Sequence, residues 1–487
     1  MVSGGMDFAC GSANMTLDHT PSTSAINPDA LEPADMPASD SSSPFHPTKA
    51  LVSWGRVVRA VHKVARPAFM DQEPALVSSL TAADPGLAVG LRRSYGDSNL
   101  NPNGRVIDMT GLDRMIAFDK ATGVLRAEAG ASLSQCLQVL APNGWFLPTT
   151  PGTRFVTLGG AVANDVHGKN HHAMGTFGAS VRAIRLRRTT GETMTLLSPV
   201  LGGNDPMFVA TLGGLGLTGV MEWVEFQAVK IPSTFLDAED TSFANVDGYF
   251  DLMAAKKDAF EHTMAWIDCL AGGDALGRGV LSCANWAPKG GYTAHREDPK
   301  LKMPMDAPGF ALNSLSVKAF NSLYGALKQA NGKKYKPHYE PFLYPLDAIA
   351  HWNRGYGAKG FYQYQSVVPP AAARDAVKEM LKQIAKSGQG SFLAVLKDFG
   401  PQESLGMLSF PAPGTTLALD FPNKGKRTLK LMAELDAVVK EAGGRLYPAK
   451  DGRIPAEMFH AGFPKLQDFR AYVDPGLSSA FWRRVSV

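Results

Sequence analysis

Three segments combine glycine with polar side chains and could bind an anion through backbone amides: Gly90–Asp97, Pro151–Ala161 and Asn164–His172. Glycine accepts positive φ and lets backbone N–H groups approach a ligand closely. Several such N–H groups in succession form a concavity that can hold a diphosphate without a Rossmann helix. One such segment alone is more often a structural turn, so the indication rests on the three together.

A fourth glycine cluster, Gly213–Gly219, precedes a predicted strand at Val220–Val229. A Rossmann dinucleotide site needs the opposite order, with glycines after a strand and at the start of a helix, and an acidic residue downstream. The sequence therefore argues against a nicotinamide cofactor in a Rossmann site. It also contains no Walker A loop.

The string His167-Gly-Lys-Asn-His-His172 raises a metal site as an alternative. His171 and His172 are adjacent, and the string has neither HExxH spacing nor a nearby cysteine. We therefore predict no metal ion. Taken alone, His167 would be interpreted as a buried structural histidine.

The elements that must position these residues predict an α+β fold. Short strands alternate with glycine turns up to about residue 230, and a helix is expected at Ser132–Leu140 with Ser132 as its N-cap. Longer helices, at Val246–Ala255 and Ala371–Ser387, then alternate with strands such as Gly360–Val368. Residues 286–308 are predicted to form a mobile basic loop.

Composition and charge narrow the class of protein. The chain has 487 residues and a formal charge of +4. Its first 50 residues hold six acidic and one basic residue, so they carry −5 and the remainder carries +9. A moderately basic body suits an anionic ligand or an anionic membrane surface, and the absence of basic runs interleaved with aromatic residues argues against nucleic acid.

The cellular compartment is inferred from sequence features that are absent. The four cysteines show no metal-binding spacing and favour a reducing environment. No apolar run is long enough to span a bilayer, and the N-terminus does not look like a secretory signal. We therefore expect a cytoplasmic protein whose contact with the inner membrane face would be peripheral.

The glycine segments, in this order and with these neighbours, resemble the flavin-binding domain of the vanillyl-alcohol-oxidase and p-cresol-methylhydroxylase family. Within that family the chain is most similar to the decaprenylphosphoryl-β-D-ribose 2′-oxidases. The segments that carry the resemblance include Arg93-Ser-Tyr-Gly-Asp97, Pro151-Gly-Thr-Arg154, His167–His172, Gln363-Tyr-Gln365 and Tyr447-Pro-Ala-Lys-Asp451.

The resemblance implies an FAD-dependent oxidoreductase that acts on CH–OH groups. It implies a two-domain layout in which the substrate domain is built on an antiparallel sheet. With the composition, it divides the chain into a disordered tail (1–50), an FAD-binding domain (51–230), a substrate domain (231–430) and a C-terminal segment (431–487) that returns to the FAD domain.

The resemblance also implies a set of FAD-binding residues. These are Ala88, Val89, Gly90, Leu91, Arg92, Arg93, Ser94, Tyr95, Gly96, Asp97, Ser98, Gly152, Thr157, Leu158, Gly159, Gly160, Asn164, Asp165, Val166, His167 and Tyr447. Family members that bind FAD covalently carry a histidine where this chain has Arg93, so non-covalent FAD is expected. Arg92 occupies a position at which the nearest relatives tend to have glycine.

Oxidation of an alcohol by a flavin requires hydride transfer to N5 and loss of the hydroxyl proton. Lys450 is the residue expected beside the reacting hydroxyl, because burial in a flavin pocket can lower the pKa of a lysine. Tyr95 and His167 are its expected hydrogen-bonding or proton-relay partners. Whether Lys450 is base, orienter or electrostatic stabiliser is left open by the sequence.

The implied substrate is a polyprenyl-phosphate-linked pentose, oxidised at its C2 hydroxyl to the 2-keto sugar. A short-chain reductase partner would then complete an epimerisation toward arabinose. Residues expected to bind the phosphate or the sugar are Lys169, Trp266, Tyr344, Gln363, Gln365 and Lys397. Two alternatives stay open: oxidation of a soluble alditol or aldonolactone in the same fold, and a non-enzymatic protein that binds flavin or lipid phosphate.

One departure from the family bears on substrate detail. Mycobacterial-type relatives carry Asn and Cys where this chain has Thr416 and Ala418. Nitroaromatic inhibitors that bond to that cysteine are therefore predicted not to react with this protein.

Overall fold

The computed structural model describes residues 43–308, Asn321 and residues 333–487. The predicted disordered tail falls mostly outside the described residues. Its final part is described and contains the first strand, His46–Thr48. The ordered structure thus begins before residue 51.

The strands of the described residues are as follows: β1 His46–Thr48, β2 His62–Ala65, β3 Gly86–Val89, β4 Arg105–Asp108, β5 Met115–Asp119, β6 Val124–Glu128, β7 Trp145–Phe146, β8 Val181–Arg187, β9 Thr193–Leu197, β10 Val220–Gln227, β11 Val229–Lys230, β12 Leu236–Phe243, β13 His262–Ile267, β14 Gly279–Trp286, β15 Leu301–Lys302, β16 Lys333–Tyr335, β17 Ile349–Ala350, β18 Phe361–Val368, β19 Ala394–Phe399, β20 Gly414–Pro422 and β21 Arg445–Leu446.

The α-helices of the described residues are as follows: α1 Glu73–Ser78, α2 Leu133–Leu140, α3 Leu158–Ala163, α4 His171–Met174, α5 Pro206–Thr211, α6 Val246–Lys256, α7 Tyr339–Leu343, α8 Pro370–Ser387, α9 Lys426–Glu441, α10 Ala456–Gly462, α11 Leu466–Arg470 and α12 Ala480–Val485. The predicted cap of α2 is confirmed, because the Ser132 hydroxyl accepts a hydrogen bond from the Gln135 N–H.

Three larger sheets organise these strands. A four-stranded sheet has the order β1-β2-β4-β3, and a five-stranded antiparallel sheet has the order β5-β6-β10-β8-β9. An eight-stranded sheet, β16-β12-β14-β13-β19-β20-β18-β21, is antiparallel throughout. The predicted α+β class is confirmed.

The eight-stranded sheet has one face covered by helices. α8 begins with Pro370, which suits the first turn of a helix, and ends before Gly388 in the left-handed conformation. Its apolar residues recur every three or four positions and are buried with those of α9 against the sheet. Because side chains alternate along a strand, every second residue of β18, β19 and β20 faces away from these helices.

A separate hydrophobic core lies between the five-stranded sheet and helices α2 and α3. It contains Leu125, Leu137 and Phe226, all fully buried. This core supports the glycine segments at 151–161 and 164–172, since α3 begins within the first and ends directly before the second. No helix in the described part of the chain is long and apolar enough to cross a membrane.

Candidate active site

A cavity of about 830 Å³ opens where the glycine segments meet the helix-free face of the eight-stranded sheet. Its volume lies within the range usual for cofactor and ligand sites. The lining comes from the first glycine segment, the segments from Pro151 to Lys169, strands β13, β18, β19 and β20, and the stretch from Tyr447 to Lys450.

The register of the eight-stranded sheet sets the side chains along one wall of this cavity. Trp266 of β13 pairs with Val395 of β19, Val395 with Ala418 of β20, and Ala418 with Gln365 of β18. All four line the cavity. They form one row across four strands, so the width of the cavity here depends on the size of each member.

The first glycine segment is bound directly to the segment that carries Lys450. Tyr95 N–H donates to the Ala449 carbonyl at 2.9 Å. A Cβ at Gly96 would lie 1.6 Å from the Asp451 carbonyl oxygen, so only glycine permits this approach. The Lys450 ammonium consequently sits 4.1 Å from the centre of the Tyr95 ring.

Burial lowers the pKa of Lys450 to about 8, although the nearby Asp420 carboxylate raises it in part. A lysine with this pKa can lose its proton near neutral pH, as a group that handles a hydroxyl proton must. Burial raises the pKa of Tyr95 well above its ordinary value, so its phenol stays protonated.

His167 is held between two other polar side chains of the cavity. Its Nδ1 lies 2.8 Å from Lys397 Nζ, and its Nε2 lies 3.2 Å from the Gln365 amide. Burial lowers the pKa of His167 well below its usual value, and the positive charge of Lys397 lowers it further, so the imidazole is neutral. The Gln365 amide nitrogen that faces Nε2 also donates to the Thr416 hydroxyl at 3.2 Å, so His167 and Gln365 are held together on this wall.

The cavity is electropositive. Among the described residues, its lining includes six cationic side chains and only two acidic ones, Asp298 and Asp347. Burial, followed by the charges of Lys169 and Lys450, lowers the pKa of Lys397 to about 7. The site is therefore suited to ligands that carry negative charge.

The residues present fit the expected FAD. A Cβ at Gly152 or Gly216 would have no atom within 4 Å, and both glycines line the cavity, so bare backbone faces the ligand there. The Arg93 guanidinium lies 4.2 Å from the Trp54 ring and 5.9 Å from the Phe155 ring. Arg93 and this exposed backbone line one cavity, and both kinds of group bind diphosphates.

Most of the predicted site residues line the cavity together. They are Ala88, Val89, Gly90, Leu91, Arg92, Arg93, Ser94, Tyr95, Ser98, Gly152, Thr157, Gly159, Gly160, Asn164, Val166, His167, Lys169, Trp266, Gln363, Gln365, Lys397, Tyr447 and Lys450.

Five predicted site residues lie behind the lining instead. Tyr344 is almost fully buried, and its hydroxyl pairs with Thr150 at 2.7 Å, so it is not presented to a sugar. The others support the wall: Gly96 packs on the Asp451 carbonyl, Asp97 forms an ion pair with Arg484, Leu158 is in the core, and Asp165 accepts from the Ser409 hydroxyl and the Gly178 N–H.

The sequence analysis missed several lining residues because nothing in their local pattern marks them. The 286–308 loop contributes Asp298, Leu301 and Lys302. This loop was expected to be mobile, but β15 pairs with β17, His295 is buried, and Asp306 forms an ion pair with Arg56. Among the residues the structure describes, no group of three or more His, Cys, Asp or Glu side chains is arranged to hold a metal ion.

Arg92 adopts a φ of 54°, in the left-handed region that favours glycine. A Cβ there costs roughly 1–2 kcal/mol. We expect Arg92→Gly to raise the free energy of unfolding by about 0.5–1 kcal/mol, because the relief of strain is partly offset by glycine's greater entropy in the unfolded chain. Urea unfolding measures this change. Arg92→Ala keeps the Cβ and serves as the control; equal stabilisation by both variants would contradict the prediction.

Comparison with known proteins adds independent evidence. Residues 63–197 match the FAD binding domain family. The chain is 36% identical to decaprenylphosphoryl-β-D-ribose oxidase of Mycolicibacterium smegmatis over 443 residues, which cover 88% of this chain and 95% of that protein. It is 32% identical to an uncharacterised protein of Streptomyces coelicolor over 368 residues, 72% of this chain and 97% of the other.

A more limited similarity links the chain to L-gulono-1,4-lactone dehydrogenase of Mycobacterium tuberculosis. The two are 29% identical over 174 residues, which cover 36% of this chain and 39% of that enzyme. The two longer similarities cover most of this chain and nearly all of each relative. This chain therefore belongs to the decaprenylphosphoryl-β-D-ribose oxidase family of FAD-dependent oxidoreductases.

Proposed function

We propose that this enzyme oxidises the C2 hydroxyl of a polyprenyl-phosphate-linked pentose to the 2-keto sugar. The observation that carries the proposal is the arrangement of Lys450, Tyr95 and His167 with two glutamines on one wall of an electropositive cavity. A relative named for oxidising a lipid-linked ribose is similar over nearly its whole length.

FAD, when bound, supplies the two-electron oxidation by accepting the hydride at N5. Lys450 lies beside Tyr95, and burial brings its pKa to about 8. The neutral amine can accept the hydroxyl proton, and the ammonium can stabilise the negative charge that develops on the hydroxyl oxygen. Tyr95 stays protonated and holds the ammonium in place through its ring. The proposal assigns sugar hydroxyls to Gln363 and Gln365, whose amides face the cavity from alternate positions of β18.

The proposal assigns the substrate phosphate to Lys169 and Lys397. Lys397 donates to the Gly168 carbonyl at 3.1 Å, and Lys169 donates to the Phe342 and Leu343 carbonyls, so both ammonium groups are anchored at the cavity. The diphosphate of FAD accounts for only part of the positive charge of the lining. An anionic substrate would account for the rest.

We further propose that the layout is that of the vanillyl-alcohol oxidases. In this division, residues 51–230 bind FAD, residues 231–430 bind substrate, and residues 431–487 return to the FAD domain. The hydrogen bond from Tyr95 to Ala449, which joins the first glycine segment to the C-terminal segment, supports the return of that segment to the FAD domain. FAD is proposed to be non-covalent because Arg93 is no attachment residue, and a short-chain reductase is the proposed partner that consumes the keto product.

An anaerobic reduction experiment tests the function. The purified holoenzyme should lose its oxidised-flavin absorbance when mixed with a polyprenyl-phosphoryl ribose in detergent, and should keep it with alditols and aldonolactones. Reduction by the soluble sugars alone would favour the alternative substrate class, and no reduction by any of them would refute the proposal. Acid precipitation should release the FAD into the supernatant; flavin that stays with the pellet would contradict non-covalent binding.

The proposed lipid tail would leave the cavity past the 286–308 loop, where Met305 is 71% exposed and Leu301 is 64% exposed. We expect Met305→Asp to lower kcat/KM several-fold for a long-chain substrate in vesicles of anionic lipid, because a charge opposes contact with the bilayer. Kinetics with a short-chain analogue should be unchanged. Val200 is 84% exposed elsewhere on the surface, and Val200→Asp is the control. Equal losses for both variants would contradict the prediction.

A further inference from the structure

Asp420 is a buried carboxylate next to the cavity, although it is not part of the lining. It lies on β20 opposite Gln363 of β18, two residues beyond Ala418 on the same face of the sheet. Its side chain is fully buried, yet no Lys or Arg forms an ion pair with it among the described residues. Burial raises its pKa to about 7, which makes an ionised carboxylate costly to keep without a function or a partner.

The hydrogen bonds of Asp420 determine its orientation. Gln363 Nε2 donates to one carboxylate oxygen at 2.7 Å, and the Tyr356 hydroxyl donates to the other at 3.3 Å. Its backbone N–H donates to the Ser391 hydroxyl at 3.0 Å. Tyr356 in turn stacks on Phe361 at 4.1 Å, and Phe361 meets the edge of Tyr95 at 5.4 Å.

These contacts decide which end of the Gln363 amide faces the ligand. An ionised carboxylate only accepts hydrogen bonds, so it holds the NH₂ end of Gln363 toward itself. The carbonyl end is then presented away from Asp420. Gln363, Tyr95 and Lys450 line the same cavity, and the Lys450 ammonium lies 4.1 Å from the centre of the Tyr95 ring, so the amide that Asp420 holds belongs to the same site as the lysine.

Asp420 is also the acidic group that acts on Lys450. The charged and titratable groups around Lys450 are Tyr95 from the first glycine segment, His167 from the third, Lys397 from β19 and Asp420 from β20. His167 is neutral, and the positive charge of Lys397 disfavours a second positive charge on Lys450. The Asp420 carboxylate therefore favours the protonated lysine against the effect of burial.

We propose that Asp420 is a positioning residue of this oxidation: its carboxylate fixes the Gln363 amide toward the substrate and balances the charge of Lys450. This inference rests on the proposed function for its catalytic meaning. The physical coupling between Asp420 and Lys450 can be measured without any substrate.

The test replaces the carboxylate with an amide of the same shape. Asp420→Asn removes the negative charge, so the pKa of Lys450 falls. Lys450 in the FAD-loaded variant should then react with limiting acetic anhydride at lower pH than in the wild type, by about 1 pH unit, or about tenfold faster at a pH where the wild-type lysine is protonated. Mass spectrometry of the peptide that carries Lys450 measures the rate from pH 6 to 10.

Asp398→Asn is the matched control. Asp398 lies on the neighbouring strand β19, also with a raised pKa caused by burial, and accepts hydrogen bonds from Tyr249 and Thr415, but it does not act on Lys450. Its replacement should leave the acetylation profile of Lys450 where the wild type has it. Tyr356→Phe is the milder variant: it removes one donor to Asp420, favours the uncharged carboxyl and should shift the profile in the same direction by less.

The pH profile of kcat/KM gives the second readout. The ionisation in this profile that belongs to Lys450 should move to lower pH in Asp420→Asn and stay in place in Asp398→Asn. An unshifted acetylation profile in Asp420→Asn, or an equal shift in the control, would overturn the inference. A shifted acetylation profile without flavin reduction by the lipid-linked pentose would instead refute the proposed function and leave the coupling intact.

Discussion

Lys450→Met is expected to lower the rate of flavin reduction by the lipid-linked pentose about 100- to 10,000-fold, while FAD remains bound. Methionine keeps most of the side-chain volume over the Tyr95 ring and removes the amine, which is the group placed to handle the hydroxyl proton. A positioned acid or base contributes a rate factor of about this size. Anaerobic stopped-flow measurement of the flavin absorbance gives the rate directly.

The exposed Lys440 provides the control, since Lys440→Met removes a surface amine and should change nothing. Lys450→Arg separates the two roles of the amine. Arginine keeps the charge but does not lose its proton, so it restores part of the rate only if Lys450 acts as an electrostatic stabiliser. Reduction of Lys450→Met at the wild-type rate would exclude Lys450 from the chemistry.

Arg154→Met is expected to lower the free energy of unfolding by about 3 kcal/mol or more. The Arg154 side chain is fully inaccessible to solvent and lies between Glu340 at 3.2 Å and Asp347 at 3.6 Å. It also donates to the Arg296 carbonyl of the 286–308 loop at 3.1 Å. Removing one partner of a buried ion pair leaves uncompensated charge and is strongly destabilising.

Chemical denaturation of Arg154→Met and Arg114→Met makes the comparison. Arg114 pairs with Glu128 but is about half exposed, so its loss should cost less than about 1 kcal/mol. We also expect Arg154→Met to weaken FAD binding, because Asp347 and the segment after Pro151 both line the cavity. Equal stability of the two variants would show that the buried cluster contributes no more than a surface pair.

The sequence allowed the glycine segments and the alternation of β18 to be predicted because both are local signals. Gln363 and Gln365 had to share a face, whatever else surrounded the strand, and both line the cavity. Tyr344, predicted to bind the sugar, lies behind the lining instead, for the opposite reason. A tyrosine at the end of a short helix carries no mark of which way its ring points, and here Thr150, far away in sequence, satisfies its hydroxyl.

Asp420 could not be found from sequence for a related reason. An aspartate at the end of an apolar strand resembles the start of a turn, and its importance depends on Gln363, Tyr356 and Lys450, which lie 30 to 64 positions away along the chain. Only the register of β18 against β20 brings the first of these opposite it. Long-range pairing of this kind is a property of the whole antiparallel sheet and leaves no trace in a local window.

The row from Trp266 through Val395 and Ala418 to Gln365 has a consequence for engineering. Its members face the cavity, whereas the alternate residues of the same strands are packed beneath α8 and α9. A change of volume at position 418 can thus reshape the ligand space without disturbing the helix-covered core. Libraries that vary this one row offer a route to new substrate ranges on an unaltered scaffold.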